Sequence, residues 1–121
     1  MDSLYGRVGG EAAVNRIVDA MYSAVVADPA LKPFFDGVDM PRQREKFRAF
    51  LITVLGGPAH RSGIELRAAH SRVVESGLEH RHFDAFVSHL ESALTGAGIE
   101  APLVHDILKG IEQTRDDVLG L

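Results

Sequence analysis

The stretch FFDGVDMPRQREKFRAFLITVLGGPAHRSGIELRAAH, from Phe34 to His70, decides the fold. It opens on two adjacent aromatic residues, passes through Asp39-Met40-Pro41, and carries Met40, Gln43, Phe47, Phe50, Leu51 and Val54 at mainly three- and four-residue steps. That spacing predicts a helix burying one face, with Asp39 as its N-cap and Pro41 tolerated in the first turn. A single glutamine, Gln43, interrupts the apolar stripe. Gly56-Gly57-Pro58 stops the helix, and a loop of small and polar residues follows. Between Glu65 and Val74, Leu66, Ala69, His70 and Val73 share one face of a short helix, so His70 is expected to point inward.

Upstream, Val14, Ile17, Val18, Met21, Tyr22 and Val25 recur with helical spacing from Glu11 to Ala27. Gly9-Gly10 breaks the chain before them and leaves only a stub. Asp28-Pro29 ends that helix, and Leu31 to Phe35 reads as a helical turn that delivers Phe34 and Phe35 to the core. Downstream of Gly77, a longer helix buries Phe83, Phe86, Val87, Leu90 and Leu94, and Gly96-Ala97-Gly98 turns the corner. Pro102 opens a final helix burying Val104, Ile107, Leu108, Ile111 and Val118. No strand pattern, repeat or linker competes, so residues 1–121 are expected to form one all-α domain with four substantial helices.

The chain has no cysteine, which excludes disulfides, thiolate catalysis and iron–sulfur clusters and leaves histidine as the natural transition-metal ligand. Thirteen Lys and Arg against seventeen Asp and Glu give a formal charge of −4 with no dense basic run, which argues against a nucleic-acid partner. No apolar run approaches the ~20 residues that span a bilayer, and the amino terminus lacks the pattern of a signal peptide. A cytoplasmic protein without a membrane partner is expected, as a monomer, since no exposed apolar stripe is evident.

The order of Leu4-Tyr5, Gly9-Gly10, Tyr22, Phe34-Phe35, Asp39-Met40, Gln43, Gly56-Gly57-Pro58, Ala69-His70 and Val118-Leu119 closely resembles the group I truncated haemoglobins over essentially the whole chain. The resemblance implies a two-over-two helical sandwich around a b-type haem. It matches His70 to the proximal iron ligand, Tyr22 and Gln43 to the distal hydrogen-bonding pair, and Phe35 to the phenylalanine on the haem face. Phe35, Lys46, Phe47, Phe50, Leu66, Arg67, His70 and Phe83 are expected to line the haem, and Tyr22, Gln43 and Phe47 the gas. The chemistry agrees, because one neutral imidazole leaves the opposite axial position open. A phenol and a carboxamide can then hydrogen-bond the guest, each worth ~1 kcal/mol in a dry pocket.

Two departures from relatives bear on the site. Lys46 stands where some members carry a second iron-binding histidine; its flexible stem suits a haem propionate at the pocket mouth. Ligation of iron by Lys46 would instead require a neutral amine. Arg44, Arg61 and Arg67 are lesser candidates for the propionates. Asp116 and Asp117 occupy the stretch where certain cyanobacterial relatives attach the haem through a histidine, so a non-covalent, exchangeable haem is expected. His80, His82, His89 and His105 are read as surface or helix-end residues; His82 and His89 share a face but lack the carboxylates of a bundle metal site.

Taken singly, an inward histidine on an apolar face is more often a core residue, and Tyr22 and Gln43 are more often ordinary core and edge groups. Only their combination points to a gas site. The resemblance implies reversible binding of oxygen for storage or transport, with nitric oxide and carbon monoxide as further ligands. It also permits oxidation of nitric oxide by bound oxygen, which would depend on a separate reductase because no flavin fingerprint is present. The reading of a different class is a cofactor-free helical interaction module.

Overall fold

The structure, a computed structural model, describes residues 4–55 and 78–119. Gly56, Gly57, Pro58, Arg61, Leu66, Arg67, Ala69, His70, Val73 and Gly77 lie outside the described residues, as do the side chains of Asp117 and Val118. The described elements are helical throughout: α1 (Leu4–Val8), α2 (Gly10–Ala27), a 3-10 turn (Lys32–Phe35), α3 (Met40–Val54), α4 (His80–Gly96), α5 (Ala101–Glu112) and α6 (Arg115–Leu119).

The stub expected before Gly9 is α1, tied to the end of α3 by the Tyr5 N–H, which donates to the Leu55 carbonyl at 2.9 Å. Gly9 joins α1 to α2 at φ +111°, where an added Cβ would also stand 3.0 Å from that of Ala13. The joint therefore needs glycine. Along α2, Ala13, Val14, Ile17, Val18, Met21, Tyr22 and Val25 are all buried, so the apolar spacing became a fully covered face. That face packs chiefly against α4 and then α3, while α4 also packs against α5. The four longer helices thus form two layers around one core.

Helix α3 begins as its sequence predicts, with the Asp39 carboxylate accepting the Arg42 N–H at 3.2 Å and Pro41 in the first turn. Its burial differs from expectation. Leu51 alone is fully buried within the helix, whereas Met40, Gln43, Phe47, Phe50 and Val54 are half-buried. The apolar stripe is wider than the surface that α2 covers, so its aromatic part stays at the rim of the core.

The final helix also differs, because the chain breaks at Gln113 and Thr114 and resumes as α6. The Thr114 hydroxyl and N–H both donate to the Ile111 carbonyl, at 2.6 and 2.9 Å, replacing the helical ladder with a tight local turn. Arg115 then clamps α6 to α4: its guanidinium pairs with Asp84 and Glu112 and lies 4.5 Å from the centre of the Phe83 ring. No described helix is long and apolar enough to cross a membrane.

Candidate functional site

Tyr22 comes from the middle of α2, on its buried face, and is 1% exposed. Rings from three other elements meet it edge-on. Phe35 of the 3-10 turn and Phe47 of α3 each lie 5.9 Å away between centroids, and Phe86 of α4 lies at 6.0 Å, with interplanar angles of 83°, 84° and 72°. Phe47 also meets Phe86 at 5.3 Å and Phe50 at 5.8 Å. The Phe47–Phe50 pair is tilted at 46°, whereas the other contacts are near-perpendicular, set positive ring edges against negative faces and add specificity to the area buried.

Among the described residues the polar partner of this phenol is Gln43, whose side-chain amide donates to Tyr22 Oη at 3.2 Å. Because the tyrosine oxygen accepts that bond, its own proton remains available to a guest. Burial pushes the phenol up to about 12, outweighing the opposing effects of the Gln43 hydrogen bond and the Arg44 charge. Tyr22 is accordingly neutral, and a donor, throughout the physiological range.

The other expected site residues are placed unevenly. Phe35, Phe47 and Phe50 are half-buried and adjoin the same cluster, while Lys46 is exposed on α3. Phe83 is buried beneath Arg115, within the core between α4 and α6. Arg44 faces Asp19 of α2 at 3.6 Å, in a partly exposed pair. Leu66, Arg67 and His70 fall outside the described residues.

Two histidines read as surface or helix-end groups are more engaged than that. His82 stands at the start of α4 but is 6% exposed; its Nδ1 accepts the Glu79 N–H at 2.9 Å and its ring meets Phe34 at 4.7 Å. His89 lies mid-helix, and its Nε2 donates to the Asp28 carboxylate at 2.8 Å. Among the described residues no three His, Asp or Glu side chains gather as a metal site. Phe86 and Val87, expected to be buried in the core, are half-buried; nothing in helical spacing tells a wall of a site from the interior of a bundle.

Among the described residues, half-buried phenylalanines beside a buried neutral phenol make an apolar surface with a directed donor. That set suits a flat apolar group carrying a small polar guest, and so fits the haem that the resemblance implies.

Comparison with known proteins agrees with this geometry. Residues 3–120 match the family model of the bacterial-like globins. The group 1 truncated hemoglobin of Tetrahymena pyriformis is 36% identical over 98% of this chain and 95% of its own. That of a Synechocystis strain is 37% identical over 99% of both. Among solved structures, the 2/2 hemoglobin of a Synechococcus strain, in its cyanomet state and with covalently attached heme, superposes with a TM-score of 0.93 at 34% identity, covering 99% of this chain and all of that one. A two-layer helical core, a phenol and amide paired across α2 and α3, and matches spanning the chain lead to one assignment: this protein belongs to the group 1 truncated haemoglobins, within the bacterial-like globins.

Proposed function

We propose that the chain holds a b-type haem non-covalently and uses it to bind oxygen reversibly, in storage or delivery. The observation that carries this reading is the neutral phenol of Tyr22, its oxygen engaged by Gln43 and its own proton uncommitted among the described residues, within a cluster of phenylalanine rings. Family membership supplies the rest. When bound, the haem contributes a ferrous iron that takes a diatomic gas. His70 is the proposed iron ligand, and Phe35, Phe47 and Phe50 the apolar surface against the macrocycle. Lys46, exposed on α3, is free to reach a propionate with its ammonium while its stem covers apolar surface. Tyr22 gives its proton to the guest in a hydrogen bond, and the phenylalanines exclude water that would compete for it.

The test begins with the purified protein, expected to be red with a Soret band that moves on adding carbon monoxide. Acidified organic solvent should extract the haem, as a non-covalent group requires. His70→Ala is expected to lose haem, whereas Tyr22→Phe should keep it and release oxygen about tenfold faster, the equivalent of one charge-polarised hydrogen bond. Colourless, folded protein that takes up no hemin, or an unchanged release rate in Tyr22→Phe, would reject the reading.

A further inference from the structure

We infer that Phe86 is a positioning residue: from α4, which carries neither Tyr22 nor Gln43, its ring holds the Tyr22 phenol in the direction that faces the guest. The inference rests on the proposed gas-binding role only for what that guest is. A tyrosine hydroxyl swings through a wide arc when its first side-chain torsion changes, so an aimed donor needs contacts that block the swing. Three rings do this around Tyr22, but they are mounted differently.

Phe35 sits on a 3-10 turn with no fully buried residue, and Phe47 on a helix that fully buries only Leu51. Helix α4 buries His82, Phe83, Leu90, Ala93 and Leu94 and makes the most extensive packing with α2, the helix of Tyr22 itself. Phe86 is therefore the stop fixed to the same rigid pair as the phenol. It also braces Phe47, whose ring it meets at 5.3 Å, so two of the three contacts on Tyr22 depend on it. The distance from Gln43 to the phenol oxygen then follows from where α4 stands.

The chain has two tyrosines and no tryptophan, so a Tyr5→Phe background leaves Tyr22 as its only tyrosine. Carbon-13 at the tyrosine Cζ, followed by NMR from about pH 9 to about pH 11.5 in the full-length protein as purified, reports ionisation of that one group. With Phe86 present the signal should stay near its un-ionised position, in keeping with a value of about 12. Phe86→Leu is expected to raise the acid constant about tenfold, as water reaches the loosened phenol. Leu94→Ala, two turns further along the same helix, should leave Tyr22 unmoved. Equal titration in Phe86→Leu and its parent overturns the inference.

Loaded with hemin, reduced to the ferrous state with dithionite and freed of excess reductant, Phe86→Leu should release oxygen about three- to tenfold faster. If Tyr22→Phe speeds release and Phe86→Leu does not, Phe86 is not positioning the donor. If neither alters release while the titration shifts, the gas-binding role of Tyr22 fails and the positioning role stands.

Discussion

At the scale of the residue, ionisable groups divide by whether their environment was visible in one segment or assembled from two. Tyr22 and Gln43 were legible because each sits in phase with an apolar stripe, and the fold buries the first fully and the second by half. Asp28 and His89 were not: they are 61 positions apart, and only the packing of α4 on α2 brings them to 2.8 Å. The Asp28 carboxyl is held below its ordinary value of 3.8, first by the His89 hydrogen bond and then by the Ala30 N–H at 2.9 Å. A carboxyl depressed by folding binds its proton more weakly in the folded chain than in the unfolded one. Its stabilisation is complete above the ordinary value and is lost as pH falls through the lower, folded value. Asp28→Asn should therefore lower the melting temperature at about pH 6, and the gap between variant and parent should close below about pH 4. A gap that stays constant across that range would mean that the pair contributes no pH-linked stability.

Helices were the most legible level, since a 3.6-residue period and the Asp39, Pro102 and glycine signals mark four of them within a few residues. What escaped was the break before α6. Ile111 and Val118 are seven apart and stay in helical phase, so the apolar pattern runs straight through a turn made by one threonine hydroxyl. A second feature hidden at this scale is Gly110, inside α5, where a Cβ would stand 3.0 Å from Val54 Cγ1 of α3. Alanine is favoured over glycine in a helix interior by about 1 kcal/mol, but overpacking at a helix contact costs about 1–3 kcal/mol. Gly110→Ala alone should thus destabilise by roughly 1 kcal/mol, whereas in a Val54→Ala background the same change should become neutral or stabilising. Urea unfolding of the four members of this cycle measures the coupling; additive effects would show that the two helices do not press on each other at this point.

For the whole molecule, the arrangement of layers followed from four amphipathic helices and short connectors, but the uneven burial between them did not. Helix α2 buries seven residues, while α3, whose sequence promises a comparable stripe, fully buries Leu51 alone and leaves Phe47 and Phe50 at the rim. Helical stability in proteins comes mainly from burying such a face. α3 should therefore be the lesser-held partner in the protein without haem, opening locally more often than α2 or α4. A haem lying on Phe35, Phe47 and Phe50 would cover the face that α2 does not, so its binding energy should appear selectively in α3. Hydrogen exchange read by mass spectrometry on haem-free and hemin-loaded protein measures this directly. Amides of α3 are expected to exchange at least about tenfold faster than those of α2 without haem, and to approach them once it is loaded. Equal protection of α2 and α3 in the haem-free chain would show that the half-buried aromatic face is already sufficient to hold the helix, and that the stability of α3 does not wait on a cofactor.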